Sequence, residues 1–308
     1  MSDLEKNQKA KQSVHQPVLL QEVIDGLNLR EGGVYIDGTL GGGGHVKAIC
    51  QNALNSKIIA IDADGEAIER AKHFLADISC DITFVESQNH LIDQISKENN
   101  VQGVDGILLD LGMSSDQLDV SGRGFSFQRK EPLIMSMKSH LSENDLTAEE
   151  IVNGWQEESI ADILWGYGGE QFSRRIAKAI VESRKEKKIE TTFDLVKIIE
   201  GAVPYFYKKK KTHPATKTFQ ALRITVNNEI ENLKVTLEKS FNLLNPNGRI
   251  AVITFHSLED KVVKHFFKDL VKEKKAKAIT KKPIAPNRDE IINNPRSRSS
   301  KLRIIEKI

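Results

Sequence analysis

The nine residues DGTLGGGGH, Asp37 to His45, put an acid, four consecutive glycines and an imidazole into one short stretch. Glycine gives up more conformational freedom on folding than any other residue, so such a run implies a loop with unusual dihedrals or one that lets a ligand approach the main chain. Asp62 follows Gly44 by 18 positions, an interval that suits a carboxylate accepting hydrogen bonds from ribose hydroxyls. The stretch does not spell GxGxxG, because Val46 stands where the third glycine would be. That disfavours a pyrophosphate and favours a nucleoside cofactor without phosphate, such as S-adenosylmethionine.

A second group is DLGMSSDQLD, Asp110 to Asp119. It is expected at the end of a strand, so that Asp110, Ser114, Ser115 and Gln117 face the same crevice as the glycine loop. The serines could equally cap a helix. No GxSxG occurs, which argues against a serine hydrolase. A third group, KKKKTHPATKTFQALR, joins a lysine run to a proline turn and a helix start. Lys210, Lys211, His213, Lys217 and Arg223 in it are candidates for clamping phosphates. His256, in FHSLEDK, is expected at the crevice rim, although a lone histidine there more often holds structure than does chemistry. Cys50 and Cys80 are far from CxxC spacing and no HExxH occurs. Both cysteines are therefore expected to be core residues, with no disulfide framework and no metal site.

These residues need elements to position them. PVLLQEVIDGL (Pro17 to Leu27) has the apolar spacing of a helix, and strands are expected at Val34 to Leu40, Lys57 to Asp64, Ile82 to Glu86 and Gly106 to Gly112. Helices are expected between them, from His45 to Asn52, from Glu66 to Ala76 and around Leu91 to Lys97. Strands alternating with helices predict a parallel, doubly wound α/β sheet. The alternation stops at Gly112. Helical patterns alone follow, with Thr147 and Glu150 in capping-box spacing and Phe172, Ile176, Ala179 and Ile180 along one stripe. The α/β rhythm resumes with a helix from Thr218 to Asn242, a turn at NPNG, a strand from Arg249 to Phe255 and a helix from Leu258 to Glu273. KAITKKPI and SKLRIIEKI read as a closing hairpin. The expected division is residues 1–116 and 214–308 for one α/β domain, interrupted by an inserted all-helical domain at 117–213.

The chain has 308 residues, 39% of them hydrophobic and 29% charged, as in a globular protein. No apolar run approaches the roughly 18 residues of a membrane span, and the polar N-terminus lacks the apolar core of a signal peptide. A cytoplasmic location without a membrane partner is expected. The net charge of +2 hides a balance of +10 in residues 261–308 against −8 in the rest. Such a basic end suits a polyanionic partner.

Taken together, HQPVLLQEV, YIDGTLGGGGH, AIDAD, DGILLDLGMSSDQLD, RGFSF, HPATKTFQALRI, FHSLED and NPRSRSSKLR resemble, in that order, the RsmH (MraW) family. Its members are S-adenosylmethionine-dependent methyltransferases acting on the N4 of a cytosine, position 1402 in the decoding region, of 16S ribosomal RNA. The resemblance implies a class I (Rossmann-like) methyltransferase fold, mostly parallel, interrupted by a helical substrate-recognition domain. It implies cofactor contacts at Gly43, Gly44, His45, Asp62, Asp110 and Gln117, with Asn89 where the family carries an aromatic to lie against adenine. It also implies small-subunit ribosomal RNA, free or in the assembled subunit, as partner, and a homodimer is compatible with it. Three charged positions of the family pattern PLDMRMD are here Ile134, Ser136 and Lys138, and the arginine of HPATRTFQ is Lys217.

A cytosine amine is a weak nucleophile because its lone pair is delocalised into the ring. Catalysis must then consist of holding amine and methyl group in line and accepting hydrogen bonds from the amine as it turns tetrahedral. Asp110, or a backbone carbonyl beside it, is the expected group, with Ser114 second. Two alternatives stay open from the residues: a nicotinamide-dependent dehydrogenase with the same strand-loop-helix-acid layout, and a non-catalytic RNA-binding or ribosome-assembly protein that keeps the fold.

Overall fold

The computed structural model describes residues 16–114, 117–118 and 121–308. Its first half alternates as expected: α1 (Leu20–Leu27), β1 (Val34–Asp37), α2 (Gly44–Asn52), β2 (Lys57–Asp62), α3 (Gly65–Phe74), β3 (Asp81–Glu86), α4 (Ile92–Glu98) and β4 (Val104–Asp110). β5 (Leu244–Thr254), β6 (Ala276–Ala278) and β7 (Lys301–Lys307) complete a seven-stranded sheet of order β3-β2-β1-β4-β5-β7-β6. The first five strands are parallel, and β7 runs antiparallel to both β5 and β6.

The near-continuous apolar strands follow from burial on both faces. In β2, Ile58 and Ala60 enter the core on one side with residues of α1, α2 and α3. Ile59 and Ile61 enter the core on the other side, with Ile92 and Ile95 of α4 and Val263 and Phe267 of a later helix. The strand order turns back between β1 and β4, which opens a crevice at their carboxyl ends.

Between β4 and β5, ahead of two further helices, the described residues include α5 (Ala148–Gly154), α6 (Glu157–Gly166), α7 (Ser173–Glu186), α8 (Thr192–Ala202) and the short α9 (Tyr205–Lys208), which share a hydrophobic core. The expected capping box of Thr147 and Glu150 starts α5, and a second, Thr191 with Asp194, starts α8. The helix expected from Thr218 to Asn242 is in fact two, α10 (Thr216–Val226) and α11 (Glu229–Leu243). Asn227 and Asn228 break it, with Asn228 in the left-handed region at φ 49°. Phe219, Ala221 and Leu222 of α10 pack into the helical core, whereas Leu233, Leu237 and Phe241 of α11 cover the sheet. The apolar periodicity runs through the break, so the sequence pattern alone gives no sign of it.

After β5 the chain forms α12 (Ser257–Lys272) and, between β6 and β7, α13 (Arg288–Asn293) and a 3-10 turn at Pro295–Ser299. β6 and β7 pair as expected, but the NPNG turn lies within the span of β5 and α13 was not anticipated. The cysteines also differ from expectation: Cys50 at the end of α2 and Cys80 before β3 are joined in a disulfide, their Cα atoms 5.8 Å apart. A separation of 30 residues carries no pairing information until the order β3-β2-β1 brings the two segments together.

Candidate active site

The tips of β1, β2 and β4 are tied to one another by their own polar groups. Beyond β1, the Gly38 N–H donates to the Leu108 carbonyl at 2.9 Å, and a Cβ on Gly38 would sit 2.7 Å from Leu109. The strands can close this tightly only with glycine there. Thr39 donates from its N–H and its hydroxyl to Asp37 Oδ1, at 3.0 and 3.3 Å. The same hydroxyl oxygen accepts the Asp110 N–H at 2.6 Å and so bridges β1 to β4. The Gly41 N–H donates to Asp62 Oδ2 at 2.8 Å, binding the loop to β2.

The glycine run divides its labour. Gly41, Gly44 and His45 line a cavity of about 500 Å3, within the range of small-molecule sites. Gly43 does not face it. It has φ 79° at the N-terminal cap of α2 and presses on α3, where a Cβ would lie 3.1 Å from Leu75. Gly43 packs on α3 in this structure, whereas Gly41 and Gly44 meet the cavity.

Asp62, Asn89, Asp110, Ser114 and Gln117 line the same cavity. Asp62 accepts N–H groups from Gly41 and Asp64, one on each oxygen, at 2.8 and 2.9 Å. A carboxylate oxygen has two lone pairs, so each keeps one for a ligand hydroxyl. Asn89 accepts from the Thr236 hydroxyl at 3.1 Å. Its amide can meet a ring edge by hydrogen bonds but offers no aromatic face. Ser114 and Gln117 bond reciprocally at 3.1 Å, Ser114 N–H to Gln117 Oε1 and Gln117 N–H to Ser114 Oγ, the capping role the sequence left open. Ser115 lies outside the described residues.

His45 Nε2 lies 3.5 Å from Asp110 Oδ2. Asp110 Oδ1 and both ring nitrogens of His45 are buried without a hydrogen-bond partner. Buried polar atoms are normally paired, so this is where the protein leaves bonding capacity for a ligand. Burial pushes the Asp37 carboxyl up to about 6; Asp110 and Asp62 add to this, and His45 and the Thr39 N–H oppose it. Burial also pushes Asp62 up to about 6, against the N–H groups of Asp64 and Gly41. Asp62 and Asp110 in the cavity wall, with Asp37 buried behind Thr39, repel a phosphate and suit a ligand carrying positive charge and hydroxyl groups.

The outer wall comes from the insert. Ser136, Met137 and Lys138 line the cavity, and their carbonyls accept from Arg123 Nη1 at 3.2, 2.9 and 3.0 Å. The other arm of Arg123 is paired with Asp64, which is fully buried and caps α3 through the Glu66 N–H. Asn227 pins the same segment, accepting from the Met137 N–H and donating to the Met135 carbonyl, both at 2.8 Å. Asp37, Thr39, Arg123 and Asn227 went unassigned in the sequence. Arg123 stands in RGFSF, and the break at Asn227 and Asn228 was hidden inside a helical pattern.

The candidate phosphate clamp is not at this cavity. Arg223 is held by Glu229 in two bonds of 2.8 Å and is no longer free for a phosphate. His213 stacks on Phe127 at 4.7 Å between ring centroids, with Nε2 3.4 Å from Glu200. Lys217 donates to the Gly169 carbonyl at 2.7 Å, and Lys210 and Lys211 are exposed on the insert. His256 caps α12, its Nδ1 accepting the Glu259 N–H and its Nε2 3.1 Å from Glu259 Oε1. Glu229, His256 and Glu259 bring ligand-type atoms within 4.8 Å of one another, but Arg223 already neutralises Glu229. They form an ion-pair network rather than a built cation site.

Known proteins match this chain over nearly its whole length. The profile of the MraW methylase family matches residues 12–308. The ribosomal RNA small subunit methyltransferase H of Clostridium botulinum (strain Kyoto / Type A2) is 47% identical over 96% of this chain and 99% of its own length. That of Brevibacillus brevis is 43% identical over 96% and 98%. Among solved structures, an rRNA methylase from Streptococcus thermophilus aligns over 94% of this chain and 93% of its own, at 11% identity and a TM-score of 0.44, too loose a likeness to bear on function.

Proposed function

The chain belongs to the MraW methylase family, and from that premise we propose that it methylates the N4 amine of a cytosine in 16S ribosomal RNA, position 1402 of the decoding region, with S-adenosylmethionine as donor. The observation that carries this reading is the convergence of Asp62, His45 and Asp110 on one cavity at the turning point of the sheet. The cofactor supplies a methyl group on a cationic sulfonium, which suits a site walled by Asp62 and Asp110. Asp62 holds ribose hydroxyls on its two remaining lone pairs, while Gly41 and Gly44 let the main chain approach and Asn89 meets the base edge.

In this reading Asp110 is the catalytic residue. Oδ1 accepts an N–H of the target amine, orients its lone pair along the line of transfer and takes the proton that the methylated nitrogen sheds. His45 Nε2, 3.5 Å from Oδ2 and without a hydrogen-bond partner, stands within reach of the same ligand. Ser114 keeps its hydroxyl proton, since its oxygen only accepts from Gln117, and can donate it to the substrate at the mouth. A base handled this way has to leave its stack. The insert, expected at 117–213 and joined by the packed face of α10, then serves as the substrate-recognition domain. The proposed setting is the cytoplasm, with ribosomal RNA or the small subunit as partner. Among the described residues no helix is long and apolar enough to cross a membrane.

The test is methyl incorporation from labelled S-adenosylmethionine into small subunits lacking the modification, with nucleoside analysis for N4-methylcytidine. No incorporation, or a label on another atom, overturns the proposal. Asp110→Asn should lose at least about 100-fold in turnover at saturating cofactor, the usual scale of a positioned acid-base group. Full turnover by this variant would remove Asp110 from the role.

A further inference from the structure

On the insert, three large aromatic side chains stand mostly in solvent: Trp165 is 64% exposed, Tyr205 71% and Phe206 62%. They belong to one neighbourhood. Trp165 and Phe172 wall a hollow of about 340 Å3, and Phe172 meets the Phe206 ring edge-on at 6.3 Å. Single exposed aromatics are ordinary, but a contiguous group marks a contact surface.

The group is also held rigid from beneath. Glu170 is fully buried, accepting the Tyr207 hydroxyl at 2.6 Å and the Phe172 N–H at 2.8 Å. One carboxylate thereby locks the loop before α7, which presents Phe172, to the short α9, which presents Tyr205 and Phe206, while Trp165 comes from α6. Cations are interleaved with them. The Arg175 guanidinium lies 5.8 Å from the Phe172 ring centre and Lys209 Nζ lies 5.0 Å from that of Tyr205. Arg174 lines the hollow, the four lysines Lys208 to Lys211 are all exposed, and Asp162 is the one carboxylate in the hollow's wall.

We propose that this face is a stacking platform for single-stranded RNA, with Trp165, Phe172, Tyr205 and Phe206 receiving bases and Arg174, Arg175 and the lysine run receiving phosphates. Rigid aromatic faces alternating with cations are what an unpaired, flexible polyanion needs, because every base has a face to stack and every link a negative charge. A second copy of this chain fits poorly. A symmetric contact about this hollow would bring two sets of arginines and lysines together, with Asp162 the one acid in each hollow's wall to offset them. The platform is also connected to the chemistry. α10 begins where Lys217 binds the Gly169 carbonyl beside this face and ends at Val226 in the wall of the cavity, about 14 Å along the helix at 1.5 Å per residue. This rests on the proposed RNA methylation and adds to it a site for nucleotides flanking the target.

The experiment uses the full chain and a single-stranded oligoribonucleotide of about 12 nucleotides, read by indole fluorescence and by direct titration, with the same strand annealed to its complement as control. Trp165→Ala/Phe206→Ala should weaken single-strand binding at least about 10-fold, Trp165→Tyr by no more than a few-fold, and both should leave S-adenosylmethionine affinity and thermal midpoint unchanged. Wild-type fluorescence should be quenched by the single strand and little by the duplex. Unchanged affinity in the alanine variant, or equal competition by the duplex, overturns the platform. So does a variant that turns a dimer into a monomer at constant RNA affinity, which would assign the face to a second copy. If the wild type transfers no methyl group yet shows this stacking pattern, the platform stands and the methylation reading falls; methylation of small subunits with no loss on Trp165→Ala/Phe206→Ala gives the reverse.

Discussion

Replacing Arg123 by methionine would remove the charge that joins the insert to the sheet domain. Asp64 is fully buried and its guanidinium partner is Arg123; Gln117 Nε2 offers only a 3.4 Å contact in addition. Breaking a buried pair by deleting one partner costs about 3–5 kcal/mol, because the remaining charge stays desolvated. The variant also frees the carbonyls of Ser136, Met137 and Lys138, which turn toward the cavity and regain water, so we expect the lower end, about 3 kcal/mol, in urea unfolding. Asp64→Asn/Arg123→Met removes the stranded charge and should recover to within about 1 kcal/mol of wild type, about 2 kcal/mol better than Arg123→Met alone. Cofactor affinity should fall in both variants, since Ser136 and Met137 wall the cavity. Arg123→Lys should fall in between, as an ammonium cannot reach Asp64 and three carbonyls at once. A loss below about 1 kcal/mol in Arg123→Met, or a double variant equal to the sum of its singles, would refute this reasoning.

The raised carboxyls predict a pH dependence. Asp37 and Asp62 hold protons up to about pH 6 when folded, but only to about 3.9 when unfolded. Between about pH 4 and 6 the folded state therefore binds more protons, and their contribution to stability falls as pH rises through that window and is flat above it. Each group is worth at most about 3 kcal/mol; Asp37→Asn should thus gain on wild type as urea unfolding is moved from pH 4.5 to 7, and a gain that shrinks would refute the shift. Binding of S-adenosylmethionine, a cation, should tighten over the same rise in pH more than binding of its neutral thioether product, measured by calorimetry. Gly43→Ala combines φ 79° with a 3.1 Å approach to Leu75 and should cost about 1–2 kcal/mol, whereas an unchanged midpoint would restore Gly43 to the loop's flexible part. If the basic end and the insert bind phosphates, the logarithm of RNA affinity should fall linearly with that of salt, and a flat response would contradict it.

The parts of this fold that were legible in the sequence are those fixed by local period and spacing. Apolar runs bounded by glycine gave β1 to β4 within a few residues, and the rule that ligands sit at the turning point of an open sheet brought Asp62 and Asp110 to one place before any coordinates. What was missed depends on contacts distant in sequence. Arg123 in RGFSF carries no assignable role until Asp64, 59 positions away, is folded against it. Arg223 reads as a phosphate ligand until the break at Asn228 swings Glu229 back onto it. Gly43 reads as a ligand loop until α3 packs there. In each case the residue type was informative and the partner was not.

The same distinction bears on the altered segment EPLIMSMK. Three charged positions of the family pattern are Ile134, Ser136 and Lys138 here, and were those side chains the means of shaping the crevice, the site would be impaired. The segment is instead held by its main chain. Arg123 takes three successive carbonyls, Asn227 takes the Met137 N–H and the Met135 carbonyl, and Leu133 and Met135 are fully buried in the helical core. Lys138 pairs with Asp145 across the same loop. A cavity wall fixed by main-chain bonds and by alternate apolar residues tolerates exchange at the positions between them. The substitutions therefore alter the charge met by an incoming RNA while leaving the shape of the cofactor cavity in place, and their effect should appear in substrate KM rather than in cofactor affinity.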